Sequence, residues 1–220
     1  MNWSSIKFNN PNLAKEAFTH RSYLNESKEA LPSNERLEFL GDAILSFIVS
    51  THIFKLRVSD EEGDLTNLRS YMVKTESLAK AAKNLKLGEK LYLSKGEETS
   101  GGRNNTQLLA NTYEAYLGAL FLDQGIETAR KFVEETLFSL FEEELKSGPP
   151  KDDKSLLQEV VQTKQKVSPI YKILATTGPD HARKFTVGVF VKEKQLGKGS
   201  GSSKQEAEEQ AAKEALEKSK

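Results

Sequence analysis

The stretch Asn34-Glu-Arg-Leu-Glu-Phe-Leu-Gly-Asp-Ala-Ile-Leu45 carries two patterns at once. At about 100° per residue, Leu37, Leu40, Ile44 and Ile48 recur on one side of a helix, while Glu35, Glu38 and Asp42 gather within an arc of roughly 60° on the other. The apolar stripe predicts a helix over Asn34–Leu56 that faces the core of its own module. The acidic arc predicts a cost, because like charges at i, i+3 and i+7 repel, and more so on a partly buried face. A bound divalent cation removes that cost, and carboxylate oxygens suit Mg²⁺ or Mn²⁺. A solvated helix face is the plainer reading of these three residues taken alone. Phe39 points away from the apolar stripe, beside Glu35, which suggests a covering helix or a contact with another subunit.

Working outward, Leu108–Leu122 is apolar nearly all round and predicts a central buried helix. Asn111 and Glu114 interrupt it at i, i+3. A carboxylate there is costly unless it is paired, with Arg69 or Arg103 as candidates, or ligates a metal. Beside the acidic arc of the other helix, the metal reading is the better one. Glu61-Glu-Gly-Asp64 is a third acidic patch, explained equally by a helix N-terminus whose free amides it satisfies or by a place in the site. His20, in Thr19-His-Arg-Ser22, reads as a helix cap rather than a ligand. The sequence has no Gly-rich phosphate loop, no Gly-x-Ser-x-Gly elbow and no His-Glu-x-x-His run.

Helical spacing extends over Asn12–Thr19, Glu61–Leu68 running on toward Leu85, Thr106–Asp123 and Ile126–Lys146, with Ser94–Asn105 a polar loop. Ser147-Gly-Pro-Pro-Lys-Asp-Asp153 has the composition of a linker. Beyond it the pattern is helix over Ser155–Lys164, strands over Tyr171–Thr176, Lys184–Val191 and Gln195–Gly199, and helix over Lys204–Ser219. The fold expected is mainly α. An all-helical domain (residues 1–147), a linker (148–153) and a small α-β-β-β-α domain of α+β class (154–220) make up the chain.

With 37% hydrophobic and 29% charged residues in 220, the chain can bury real cores. It has no cysteine, which excludes disulfides, thiolate metal sites and a cysteine nucleophile, and which suits a reducing cytoplasm. No membrane partner is expected, since the longest apolar stretch, Phe39–Phe54, is interrupted by Asp42, Ser46, Ser50 and His52. The net charge of +0 hides an asymmetry: 18 basic and 22 acidic residues precede residue 151, and 14 and 10 follow. The basic tail is the candidate for a polyanion partner.

These residues resemble the bacterial ribonuclease III family along nearly the whole chain. Asn34–Asp42 looks like that family's signature, and Thr19–Ser22, Glu62–Leu65 and Ala110–Ala115 stand in the family's order and spacing. Leu157-Gln-Glu159, Gly178-Pro-Asp-His181, Gly199–Lys204 and Ala207–Ala212 are similar to the double-stranded RNA-binding domain that follows the nuclease domain there. The resemblance implies a homodimeric endonuclease that holds duplex RNA in a valley and cuts one strand per subunit. It assigns Glu38, Asp42, Asn111 and Glu114 to metal binding, Asp42 and Glu114 to catalysis, Glu35 and Glu62 to the acidic valley, and Phe39 to the dimer contact. In the tail it implies that Gln158, Gln162 and His181 meet minor grooves of A-form RNA while Lys204 and the start of the last helix face phosphates.

The chemistry so implied is Mg²⁺-dependent hydrolysis to 5′-phosphate and 3′-hydroxyl ends, in the processing of structured precursors of rRNA, mRNA and small RNA. Two departures stand out. Asn111 occupies a position where the family most often has aspartate, and Lys204-Gln205 replaces two adjacent basic residues. Asn111 keeps a second reading open, a double-stranded RNA-binding or scaffolding protein with a weakened nuclease domain.

Overall fold

The computed structural model describes residues 3, 6–27, 32–179 and 182–218. It divides into two compact units, Met1–Pro149 and Pro150–Lys220. The first holds α1 (Pro11–Ala17), α2 (Arg21–Leu24), α3 (Glu35–Leu56), α4 (Glu62–Val73), α5 (Thr75–Asn84), α6 (Lys95–Thr99), α7 (Thr106–Thr136) and α8 (Glu142–Ser147), with 3₁₀ turns at Leu87–Lys90, Gly102–Asn104 and Phe138–Leu140. The second holds α9 (Asp153–Gln165), β1 (Ile170–Thr177), β2 (Lys184–Val191), β3 (Lys194–Gly201) and α10 (Lys204–Lys218).

In the first unit α7 is the central helix, packed most extensively on α3 and then on α5. Its buried face joins Tyr113, Tyr116, Leu117, Leu120 and Phe132 to Leu37, Leu45, Ile48 and Ile53 of α3. Tyr113 and Phe132 stack with ring centroids 5.0 Å apart, and Phe132 meets Trp3 edge-on. Their polar tips are satisfied: the Tyr113 hydroxyl bonds Thr136 Oγ1 at 2.8 Å, and Trp3 Nε1 donates to Glu135 at 2.7 Å. By length and composition α3 is long and apolar enough to cross a membrane, but Leu37, Ile44, Leu45, Ile48, Val49 and Ile53 are buried in this core.

Several boundaries differ from the sequence expectation. The helices expected over Thr106–Asp123 and Ile126–Lys146 are one element kinked at Gly125, whose φ of 81° lies where a side chain is strained. That element ends at Thr136, and α8 follows the 3₁₀ turn at Phe138. The helix expected to run through to Leu85 breaks at Lys74, whose extended backbone (ψ 154°) separates α4 from α5; Ser77 Oγ donates to the Tyr71 carbonyl across the break. The expected loop 94–105 contains α6, started by Ser94 Oγ accepting from the Glu97 amide.

In the second unit β1, β2 and β3 form one antiparallel sheet in that order, with a bulge after Ile173. Leu157 and Val161 of α9 and Ala211, Ala212 and Ala215 of α10 cover one face through Val189 and Val191. The seat of α10 is made of backbone. A Cβ on Gly199 would lie 2.2 Å from the Ala211 nitrogen, and one on Gly197 2.4 Å from the Ala211 carbonyl oxygen. Glycine on the strand is therefore required for this close approach.

Candidate active site

Helices α3 and α7 cross on a pair of glycines. A Cβ on Gly41 would stand 1.9 Å from the carbonyl oxygen of Glu114, and one on Gly118 would stand 2.3 Å from that of Leu37. Each helix thus rests a glycine on the other's backbone. Glu38 and Asp42 flank Gly41, and Glu114 is the residue on which Gly41 rests, so the crossing itself gathers three carboxyl groups. The buried face of α3 is accordingly wider than its Leu37–Ile48 stripe: it takes in Gly41, Leu45 and Val49 and runs up to the acidic edge.

The electrostatics follow from this placement. Burial pushes the Glu114 carboxyl up to about 8, and Asp42 and then Glu38 push it the same way. Glu38 is raised too, by burial first and then by Glu35, with a hydrogen bond from Asn111 acting in the opposite direction and Asp42 adding a smaller rise. Arg103, a candidate partner for Glu114, is engaged elsewhere: its Nε donates to Glu98 at 2.7 Å and its Nη1 to the carbonyls of Gly88 and Leu91. Glu114 is thus not paired with Arg103 and stands near the carboxyl groups of Asp42 and Glu38.

The other expected residues sort differently. Asn111 is half-buried next to Glu38, and its Oδ1 accepts from Gln107 Nε2 at 2.7 Å. Glu35 is exposed, accepts from Ser33 Oγ and pairs with Arg21 at 3.4 Å. Glu62, exposed at the start of α4, accepts from Thr66 on its own helix. Glu61 precedes α4 without a side-chain cap bond, and Asp60 before it pairs with Arg57 at 2.8 Å. His20 caps α2 through Nδ1, as expected, and with Arg21, Asn34, Glu35, Glu38 and Asn111 it lines a cavity of about 200 Å³ beside the carboxylates.

The donor set fits a hard divalent cation: the carboxyl oxygens are the right ligand type, and the ionisation of Glu114, which its surroundings oppose, would be favoured by a positive charge beside it. Among the described residues no three Asp, Glu or His side chains form a ready ligand cage.

Phe39 is 80% exposed. Phe47 and Phe54, also exposed, share its side of α3, forming an aromatic stripe next to the acidic edge. Sequence reasoning singled out only Phe39, although the spacing of seven to eight residues between the three (about two helical turns) was readable.

In the second unit Gln158 and Gln162 are exposed one turn apart on α9, and Gln162 Nε2 donates to Ser168 Oγ at 3.3 Å. Lys204 is exposed at the first residue of α10. His181 lies outside the described residues. The start of α10 carries a capping arrangement missed in the sequence: Ser203 Oγ accepts from the Glu206 amide, and the Glu206 carboxylate accepts from the Ser202 amide at 2.7 Å. The Ser-x-x-Glu spacing was the available signal.

Comparison with known proteins agrees with both units. A family profile described as ribonuclease-III-like matches residues 10–140, and one for the double-stranded RNA binding motif matches residues 154–219. The ribonuclease 3 of Desulforamulus reducens is 45% identical over 212 residues, covering 96% of this chain and 86% of that protein. That of Bacillus licheniformis is 46% identical over 213 residues, covering 96% and 85%. Among solved structures, the ribonuclease III nuclease domain of Campylobacter jejuni, described for flexibility in a region involved in dimer formation, superposes with a TM-score of 0.59 at 36% identity, over 63% of this chain and 94% of that one. These likenesses favour an endonuclease over a protein that only binds RNA. Identity of this depth, held along 96% of the length and through both units, places the chain in the bacterial ribonuclease III family, the endoribonucleases of double-stranded RNA.

Proposed function

We propose that Glu38, Asp42 and Glu114, with position 111 beside them, hold Mg²⁺, with Mn²⁺ as a substitute, and that the chain hydrolyses duplex RNA there to 5′-phosphate and 3′-hydroxyl ends. The observation that carries this reading is the Gly41–Glu114 contact, which puts a half-buried carboxyl against two others. When bound, the cation supplies an activated water and neutralises charge on the phosphate and the leaving oxygen. Asp42, exposed at the edge of α3, is placed to meet substrate, while Glu114 approaches from the core side. No protein nucleophile is required.

Duplex specificity is assigned to the second unit, with Gln158 and Gln162 on one minor groove, His181 on the next and Lys204 on phosphates. Glu35 and Glu62 add acidic character along the valley. The proposed substrates are structured precursors of rRNA, mRNA and small RNA in the cytoplasm. The experiment is end-labelled perfect RNA duplex incubated with the native protein in Mg²⁺ or in EDTA. Short discrete products with 5′-phosphates in Mg²⁺ and none in EDTA are expected. Duplex that is bound but left intact in both would overturn the proposal.

Two copies are proposed to pair through the Phe39–Phe47–Phe54 face of α3, an apolar stripe too large to leave in water at no cost. Phe39→Glu buries a charge in that contact. Light scattering at micromolar concentration is expected to give twice the chain mass of 24.6 kDa for the native protein and the single mass for the variant. A native mass of one chain would sink the dimer.

A further inference from the structure

The amide of Asn111 is engaged at its oxygen. Gln107, one turn earlier on α7, donates Nε2 to Asn111 Oδ1 at 2.7 Å. Asn111 and Glu38 line one cavity, where the Asn111 amide opposes the rise that burial gives the Glu38 carboxyl. An ionised carboxylate only accepts, so the group facing Glu38 is the Asn111 NH₂, and the oxygen is the atom left for Gln107. The bond from Gln107 and the acceptor-only chemistry of Glu38 agree on one orientation of the amide.

That orientation has a chemical meaning. An amide oxygen can ligate a hard cation, whereas an amide NH₂ cannot. As held, Asn111 offers the acidic cluster a hydrogen-bond donor and turns its only ligating atom toward Gln107. We propose that Gln107 is a positioning residue that keeps the Asn111 oxygen out of the cation site, so that it sets a weaker divalent-cation affinity than the same carboxylates would have with a free amide beside them. The inference rests on the reading that Glu38, Asp42 and Glu114 hold the cation.

Position 107 suits a clean test. Gln107 is exposed, and the start of α7 is held through its backbone, whose amide donates to Asn105 Oδ1 at 2.9 Å, so removing the side chain leaves the helix intact. Asn111→Asp supplies the control. A carboxylate presents equivalent oxygens, so no neighbour is needed to choose which atom faces the cation.

The experiment is Mn²⁺ binding to the full metal-free chain, read by paramagnetic resonance of free Mn²⁺, for native, Gln107→Leu, Asn111→Asp, the double variant and Asp42→Asn. Gln107→Leu is expected to tighten Mn²⁺ binding about threefold, the upper size for releasing an exposed i, i+4 amide pair. In the Asn111→Asp background the same change is expected to alter it less than about twofold. In EDTA, Gln107→Leu is expected to melt with the native protein and to shift the Asn111 side-chain amide signal in ¹⁵N-resolved NMR, a signal identified by its loss in Asn111→Asp. Unchanged or weaker Mn²⁺ binding in Gln107→Leu, or an equal shift in both backgrounds, overturns the positioning role. If Asp42→Asn binds Mn²⁺ as tightly as the native protein, the carboxylates are not the cation site and both readings fall. Loss of binding in Asp42→Asn with indifference to Gln107 overturns the positioning role alone.

Discussion

Gly41→Ala is expected to destabilise the helical unit by about 3 kcal/mol or more, at or above the top of the usual overpacking range. The added methyl would meet the Glu114 carbonyl oxygen at 1.9 Å, and that oxygen belongs to the middle of α7, where no rotamer change can move it. The helices must part instead. Parting them opens the contacts of Leu37, Leu45 and Ile48 with Tyr113, Leu117 and Leu120, the centre of the core. For a unit of this size the melting temperature should fall by roughly 10 °C. Gly63→Ala is the matched comparison: it lies in α4 with nothing within 4 Å of a built Cβ, and it should leave the melt unchanged or slightly raised. Calorimetry of both variants in the full chain decides the matter. Equal melts would mean that the glycine crossing does not set the helix spacing.

Glu114→Gln is expected to lower Mg²⁺-dependent cleavage by about a thousandfold or more while making the metal-free protein more stable above neutral pH. The two effects have one source. The folded carboxyl keeps its proton up to about 8, whereas a free one loses it near 4.5. Between those values the folded state binds a proton that the unfolded state does not, so native stability in EDTA declines as pH rises from about 4.5 to 8 and is unaffected by this group below that range. Glutamine has no proton to lose, so the variant lacks the decline. Its advantage at pH 8 is on the order of 2 kcal/mol after allowing for partial exposure. Melting curves in EDTA at pH 5 and 8, set beside cleavage rates in Mg²⁺, test both halves. A variant that loses activity and stability together would make Glu114 a structural residue.

Much of this site was legible in the chain because it rests on local periodicity. The acidic edge of α3, the Asn111–Glu114 pair on a helix apolar nearly all round, and the short tail strands bounded by turn residues each follow from local pattern. What stayed hidden depends on what lies opposite. Gly41 and Gly118 read locally as poor helix residues, and only the crossing of α3 with α7 turns them into contact points. The exposed stripe of Phe39, Phe47 and Phe54 blurs the periodicity of α3, which is apolar on two sides for two different reasons. The break at Lys74 has no glycine or proline to announce it; the Ser77–Tyr71 bond and packing impose it. The Gln107–Asn111 bond was within reach, since i, i+4 amide pairs are a known helix pattern.

The backbone seat of α10 on β3 divides that helix into a part that can be edited and a part that cannot. Gly197, Gly199, Ala211 and Ala215 meet with no side chain between them large enough to absorb a change, so this line of contact behaves as a fixed hinge pin whose diameter is set by two main chains. Gln205, Gln210 and Lys213 face water and carry no such duty. Substitutions on that outer face can therefore vary its charge without touching the seat. Because the seat fixes where the helix lies, each change of charge there acts at a known position on the domain.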